Sequence, residues 1–468
     1  MRVTRRTRLT CRTPSRRTSL AQRSPTGTAA TRNLATITTS RTEDMASDTE
    51  LAVRRAQLAT EVAHWRAAAH SLGDLESLAA PAAWASLERY LDRHVRIQLT
   101  SIASAMAREG DQLASAVAGI TSQAELGPLR ERTLAFRRRY SQAETVIDFY
   151  AEAVNTRTTP RLGRLLRGLD SIAVDSMDAF LKPLGIDSPP VLTYLDKGLG
   201  ASILRAGVRL WDSGALSPAA AIKITRHNLQ RPTSLTHETF HQVAHLTGFN
   251  QELREALYRT LLPHSVAAAE AWRQWANEVA ADVGAFVLLG YGPVPALANV
   301  VDGSTPQVFS MPFGDPHPFA WLRVMFNTEL CRSWFGSGPW DRLRAVWIAR
   351  HPLEHAPTGP RRVAEESLPH LGDLVTLCTR TPMHAFGGRA LSQLSDPRRV
   401  RADQLRALAD RAGDSLYTST YLQRHESLRI LAYNTLEAAV TPDRAPQLAD
   451  QLEAWLGRLG SEPLAAAA

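Results

Sequence analysis

Lysine and cysteine are scarce in this chain of 468 residues. Only three lysines occur among the 54 Lys+Arg, so arginine supplies nearly all of the positive charge. The three cysteines, Cys11, Cys331 and Cys378, lie far apart and form no CxxC pair, which argues against a disulfide framework and a cysteine zinc site. A Cys331–Cys378 bridge stays open as an alternative, but two buried thiols in a reducing compartment fit this usage better.

A long uninterrupted apolar run is also missing. The most apolar stretch, residues 279–301, is broken by Asp282, Gly290, Gly292 and two prolines, whereas a membrane-spanning helix needs about 20 consecutive apolar residues. The composition, 44% hydrophobic and 21% charged, is typical of soluble globular proteins. We therefore predict a soluble protein without an integral membrane span.

Acidic residues are absent from residues 1–42, which contain ten arginines. The rest of the chain has 44 Lys+Arg (54 less 10) against 46 Asp+Glu, a net charge of −2. The overall charge of +8 thus comes from this stretch, and the nearly neutral remainder argues against a nucleic-acid partner.

Residues 1–44 contain no apolar run of the kind found in a secretory signal. We predict that they are a disordered basic tail, or a misassigned start upstream of Met45, rather than an organellar transit peptide. The excess of arginine and alanine over lysine suggests a GC-rich bacterial genome, and we expect a cytoplasmic location.

Apolar spacing and turn residues predict mostly helices. A helical region is expected over residues 45–185, followed by short strands at Val191–Leu195 and Ser202–Leu204. Helices should resume at Ser217-Pro218, where a serine cap precedes a proline in the first turn. A last helical region is predicted over residues 346–468.

The segment from Thr236 to Gly248 contains the pattern HExxH. Side chains four residues apart lie on one face of a helix, so His237 and His241 are expected to point at a single cation. Glu238 lies about 100° around the helix from His237, which places it beside the metal as a general base for the water that the metal activates. Because so short a pattern arises by chance in about 2–3% of chains, a second signal is required.

That second signal begins 37 residues after His241, where Glu278 and Asp282 follow each other by one helical turn. Catalytic zinc takes three protein ligands and leaves its fourth position to water, and Glu278 would be the third ligand. Asp282 would orient a ligating imidazole. The other faces of this helix are apolar, with Trp275 and Val279, so carboxylates on it need a partner such as a metal.

Competing metal sites fit less well. A metzincin would need a histidine at position 247, which is Thr247. His245 continues the histidine stripe, but three successive turns of one helix do not converge on one ion, so we expect it to line the site or to interact with the helix C-terminus. The inverted motif HxxEH spans His351 to His355, but Pro352 leaves barely one helical turn, which predicts loop or surface histidines.

A third element, His317-Pro318 followed after four residues by Arg323, completes a set that resembles the gluzincin metallopeptidases. The closest resemblance is to the CaaX prenyl proteases and heat-shock-type membrane proteases, over roughly residues 190–340. It implies a zincin-like α+β core holding one Zn²⁺ per chain, with His317 and Arg323 binding substrate or stabilising the oxyanion. Because the membrane helices of that group are missing, prenylated or membrane substrates are not expected.

These motifs predict a zinc metallopeptidase acting on a peptide or protein substrate. The resemblance further implies that residues 192–203 supply the edge strand with which such enzymes align an extended peptide. Two alternatives stay open: a zinc hydrolase for a non-peptide or single specific target, and a catalytically inactive helical interaction protein. The predicted fold is mainly α with a small β-sheet, and its regions are a tail (1–44), a helical region (45–185), a zincin-like core (186–345) and a second helical region (346–468).

Overall fold

The computed structural model of the protein describes residues 29–91, 94–198, 200–205 and 219–461. Helices dominate these ranges, and three short strands form a small mixed sheet, which confirms the predicted fold class. Within the same ranges, no helix has both the length and the apolar character needed to cross a bilayer.

The first five helices form a bundle with an apolar core of its own. On the fifth helix, Phe136, Tyr140, Ile147 and Tyr150 recur at helical spacing and are all buried, as expected for a helix with one apolar face. The bundle consists of α1 (Ala29–Ser71), α2 (Leu75–Leu78), α3 (Pro81–Leu91), α4 (His94–Ala118) and α5 (Gln123–Asn155).

Helix α1 begins at Ala29 and therefore includes residues 29–44, for which the sequence predicted a basic tail. No glycine or proline occurs between Ala29 and Ser71, so the two residue types that most disfavour helices are missing from this stretch. The remainder of the predicted tail, residues 1–28, lies outside the described residues.

The sheet separates the bundle from a second apolar core. Side chains of a strand point alternately to opposite faces, and on β1 Val191 packs against the second core while Leu192 and Tyr194 pack against the bundle. The central strand β3 runs parallel to β1 and antiparallel to β2. The strands, in the spatial order β1-β3-β2, are β1 (Val191–Leu195), β2 (Ser202–Leu204) and β3 (Ala220–Ile224).

Strands β1 and β2 have the predicted bounds, but the prediction that helices resume at Ser217-Pro218 is wrong. Residues 220–224 form the central strand, and Ser217 and Pro218 themselves lie outside the described residues. Alanine at positions 219–221 favours helix by propensity and hid the strand. Four of the five β3 residues are buried, so burial between two cores outweighs propensity.

The second core begins with α6, which the sequence placed in the N-terminal helical region, and it includes the C-terminal helices. Gly168 of α6 touches the last helix, where an added Cβ would lie 2.3 Å from the carbonyl oxygen of Leu456. The helices of this core are α6 (Pro160–Leu181), α7 (Thr233–Thr247), α8 (Phe249–Leu261), α9 (Val266–Leu289), α10 (Pro293–Val301), α11 (Thr305–Val308), α12 (Ala320–Phe335), α13 (Pro339–Arg350), α14 (Thr358–Ser367), α15 (Leu371–Arg380), α16 (Leu391–Leu394), α17 (Ala402–Ala412), α18 (Thr420–His425), α19 (Ser427–Val440) and α20 (Ala445–Leu459).

Two of the cysteines are buried in the second core as free thiols, as predicted. Burial raises the pKa of Cys378 to about 12 and that of Cys331 well above its usual range. Thiols that stay protonated are poor nucleophiles and poor metal ligands, so these two act as small apolar side chains. Cys11 lies outside the described residues.

A buried ion pair joins the bundle, α6 and the sheet. Arg157, just beyond α5, contacts the Asp170 carboxylate of α6 at 2.7 and 2.8 Å and donates to the carbonyl of Thr193 on β1 at 2.7 Å. The backbone N–H of Thr193 donates to Asp170 at 2.7 Å. Both charged side chains are at most 5% exposed, so each depends on the other for compensation.

Replacing Arg157 with Ala should lower the free energy of unfolding by roughly 3–5 kcal/mol, because Asp170 would keep a buried charge without a counter-ion. Arg161→Ala is the matched control, since its pair with Glu453 is exposed and such pairs contribute at most about 1 kcal/mol. Guanidinium denaturation of both variants measures the difference. Equal midpoints for the two variants would show that the buried pair contributes nothing.

Candidate metal centre

Helices α7 and α9 carry the predicted metal ligands and approach each other closely at Gly284. The ring of Phe240 on α7 lies against this glycine, and a Cβ added there would sit 2.1 Å from the ring. Helix α7 ends at Gly248, whose φ of 75° is a conformation that glycine adopts without strain. Helix α9 follows Ser265, whose hydroxyl accepts the N–H of Ala268. Both helices occupy the predicted positions.

Three side chains that could hold a metal ion meet between these helices: His237, His241 and Glu278. Their ligand atoms lie within 4.8 Å of one another. Nε2 of His237 is 3.3 Å from one oxygen of Glu278, and Nε2 of His241 is 3.5 Å from the other. Ligand atoms around a tetrahedral zinc ion, with bonds of about 2.0–2.1 Å, lie about 3.3–3.4 Å apart. The donor set and its spacing therefore fit Zn²⁺.

Asp282, one turn after Glu278 on α9, accepts four hydrogen bonds. Its Oδ1 lies 2.9 Å from Nδ1 of His237 and accepts Nη2 of Arg323 at 2.7 Å, while Oδ2 accepts Nε of Arg323 at 2.7 Å and the amide of Asn327 at 3.0 Å. Because Asp282 accepts a hydrogen bond from Nδ1–H of His237, Nε2 is the ring nitrogen that can bind a metal once it has lost its proton. The predicted orienting contact is present in the structure.

Replacing Asp282 with Asn should weaken metal binding about 10- to 100-fold, because the side chain loses its negative charge and one of the two acceptor oxygens that hold His237, Arg323 and Asn327 in place. The matched control is Asp302→Asn, which removes another acidic side chain of the same cavity, one that pairs with Arg350 and His351. Competition with a chelator measures the metal affinity of each variant. If both variants lost the same metal affinity, the loss would come from the lower negative charge of the cavity and not from the contact between Asp282 and His237.

The pKa values of the three candidate ligands diverge because of their surroundings. Burial opposes a charge on His237, but the hydrogen bonds that its ring donates to Asp282 and Glu278 outweigh this effect and raise its pKa to about 10. Burial and the charge of His237 lower the pKa of His241 to about 4. Although burial opposes it, the contact with His237 lowers the pKa of Glu278 to about 2. Without a metal ion, the carboxylates of Asp282 and Glu278 thus keep His237 protonated.

Metal binding near pH 8 should therefore release at least one proton, since a ligating imidazole must be neutral. The apparent affinity for the metal should fall about tenfold for each unit that the pH decreases between about 10 and about 7. These limits are the pKa values of His237 and Glu238. Calorimetric titration in two buffers of different ionisation enthalpy counts the protons released. An affinity that does not change over this pH range would contradict the protonation of His237.

Glu238 is buried, and among the described residues it has no hydrogen-bond or ion-pair partner. Burial raises its pKa to about 7, and the negative charge of Glu278 adds to this shift while His237 opposes it. A carboxylate whose pKa lies near neutrality is suited to accept and return a proton. It occupies the place predicted for the general base, next to a ligand in sequence and outside the ligand group.

His317 and Arg323 both reach the ligand Glu278, but they differ in exposure. His317 is half exposed; its Nε2 lies 3.4 Å from Glu278, and its Nδ1 lies 2.8 Å from Asp315. Arg323 is buried, and its two short bonds go to Asp282, with Glu278 at 3.4 Å. Arg323 therefore holds Asp282 in place, and His317 is the more exposed of the two side chains in the cavity.

The histidines predicted to lie outside the metal site, His245, His351 and His355, differ in their exposure. His245 is exposed in the last turn of α7, where its positive form would interact favourably with the helix C-terminus. His351 lies in the loop that directly follows α13, one of the two predicted alternatives, but it is only 2% exposed. Its ring lies 3.1 Å from Asp302 and 3.1 Å from Thr305, and these partners make its burial possible. His355 is exposed, as predicted.

The sequence did not point to Asn327 and Asp315, which form hydrogen bonds with two of the predicted site residues, Asp282 and His317. Asn327 lies four residues after Arg323, one turn later on the same helical face, and donates to the same carboxylate. Asp315, two residues before His317, accepts both its backbone N–H at 3.0 Å and its ring nitrogen. In each case the spacing to a predicted residue was the available signal.

The predicted site residues all line one cavity of about 990 Å³. The edge strand β2 forms one wall of the cavity and α10 another. Comparisons of the chain with models of protein families, with curated proteins and with solved structures find no match. The chemistry assigned to the cavity thus rests on its side chains, which are His237, Glu238, His241, Glu278, Asp282, His317 and Arg323.

Proposed function

We propose that the chain is a zinc-dependent metallopeptidase of the gluzincin type. The observation that carries this proposal is the convergence of two imidazoles and a carboxylate at zinc-like spacing, with an unpartnered carboxylate, Glu238, in the same cavity. His237, His241 and Glu278 would hold the metal and leave one position open. When bound, the metal supplies Lewis acidity that activates water and polarises a carbonyl.

The cavity suits an extended peptide. Strand β2 pairs with β3 along one side only, and no other described strand covers its outer edge. Residues 200–203, in and just before this strand, line the cavity. A free strand edge beside a catalytic site can align a peptide through main-chain hydrogen bonds, so that one carbonyl is presented to the site.

Three side chains have separate roles in the proposed reaction. Glu238 accepts a proton from the attacking water and returns it to the leaving nitrogen, which requires a pKa near neutrality. His317 donates to the oxygen that becomes negative in the transition state. Arg323 positions Asp282, which in turn fixes the ring of His237.

Elemental analysis of the natively purified protein, together with a peptide-library digest, tests this proposal. We expect about one zinc per chain, and cleavage that a chelator stops and added zinc restores. Zinc without cleavage of any peptide would favour a hydrolase for a non-peptide or single specific target. A protein that binds no zinc even when it is supplied would be an interaction protein rather than an enzyme.

A further inference from the structure

The cavity contains two arginine side chains that have no counter-ion among the residues that the structure describes. Three arginines line it, and Arg323 is paired with Asp282. The side chains of Arg231 and Arg205 have no hydrogen-bond, ion-pair or aromatic partner among the described residues, although both are half-buried. A partly buried guanidinium without a partner gives up hydration that no described protein group replaces, so these two arginines differ from Arg323 in the same cavity.

The acidic groups of the cavity do not compensate these arginines, because nearly all of them are already engaged. Asp282 and Glu278 contact the histidines and Arg323, Asp302 contacts Arg350 and His351, and Asp315 contacts His317. Burial alone lowers the pKa of Arg231. Arg323, in the same cavity, has its pKa raised by Asp282 even though burial opposes it. The contrast marks Arg231 as a cation without an anion.

The two arginines flank the metal-binding turns of α7. Arg231 lies two residues before the first residue of that helix, and Arg205 directly follows the edge strand β2. Strand β2 packs against α7, and Arg205 lines the same cavity as His241. A peptide along β2 would pass between the two cations.

Distance along the helix sets which part of a substrate meets Arg231. From Thr233, where α7 begins, to His237 the helix rises about 6 Å at 1.5 Å per residue. An extended peptide covers this distance in about two residues, and an arginine side chain adds reach. We infer, on the basis of the proposed peptidase function, that the substrate carries a carboxylate within about three residues of the scissile bond and that Arg231 binds it, with Arg205 as a second cation.

The carboxylate has two possible sources, an Asp or Glu side chain or a peptide C-terminus. Both present the planar pair of oxygens that a guanidinium binds with two parallel hydrogen bonds. Peptides that differ only in Glu against Gln test the first source. Peptides that differ only in a free against an amidated C-terminus test the second.

Binding of these peptide pairs to full-length, zinc-loaded Glu238→Gln protein tests the inference without turnover. We expect the acidic member of a pair to bind roughly 10- to 100-fold more tightly, as for a hydrogen bond to a charged group. Adding Arg231→Gln should remove most of this preference, and Arg231→Lys should keep part of it. Arg226→Gln, which removes an exposed charge five residues earlier outside the cavity, should leave the preference intact.

Equal binding of acidic and neutral peptides by the protein with native Arg231 would overturn the inference, whether or not the Arg231 variants fold. A preference that survives Arg231→Gln in a folded protein would overturn the role of Arg231. Cleavage by the wild-type protein reports separately on the proposed function. If acidic peptides bind through Arg231 but none is cleaved, the carboxylate site stands and peptidase activity does not.

Discussion

Replacing Glu238 with Gln is expected to lower kcat for peptide cleavage by roughly 100- to 10,000-fold, the usual contribution of a general base. Glutamine has nearly the same shape but cannot accept the proton of the attacking water. Since Glu238 lies outside the ligand group, the variant should bind as much zinc as the wild type. Steady-state kinetics and elemental analysis on the same sample measure both quantities.

The matched control for this variant is Glu255→Gln, which removes an identical charge from the neighbouring helix α8. Glu255 pairs with Arg273 and does not line the cavity, so activity should stay within about twofold of the wild type. Undiminished proteolysis by Glu238→Gln would eliminate the proposed mechanism. A simultaneous loss of zinc would instead make Glu238 part of the metal site.

Replacing His241 with Ala should weaken zinc binding roughly 100- to 1,000-fold, since zinc affinities of about 10–16 kcal/mol are shared among four ligands. Activity should fall with it, because the metal would be lost at ordinary zinc concentrations. The stabilisation that zinc gives the wild-type protein against heat should also decrease. Chelator competition and thermal melting with and without zinc measure these effects.

His245→Ala is the control on the same helix. It removes an imidazole one turn later, from a side chain that is exposed and outside the cavity. Zinc affinity should therefore be close to that of the wild type. If His245→Ala lost the metal and His241→Ala kept it, the assigned ligand set would be wrong.

Local sequence patterns predicted the elements that carry the ligands. Gly248 marks the end of α7, and the four-residue spacing of His237 and His241 places both rings on one face. These features depend on residues close together in the chain. Strand β3 was missed because its conformation depends on burial from both sides, which three consecutive alanines do not indicate.

Contacts between segments that are far apart in the chain could not be predicted from local sequence patterns alone. Arg323 meets Asp282 across 41 residues. The family resemblance placed both in one site, but it gave no indication of the bond between them. The unpaired state of Arg231 is likewise invisible in sequence, since an arginine before a helix is ordinarily solvated. Only the three-dimensional arrangement shows that none of the described acidic side chains of the cavity contacts it.

The contact between Phe240 and Gly284 links the evolution of these two positions. The aromatic ring fills the space that a side chain at position 284 would need, and the separation of the two ligand-bearing helices depends on this fit. A larger residue at 284 would be tolerated only with a smaller one at 240. In any set of relatives that keeps His237, His241 and Glu278, these two positions should therefore covary in volume, even though neither lines the cavity.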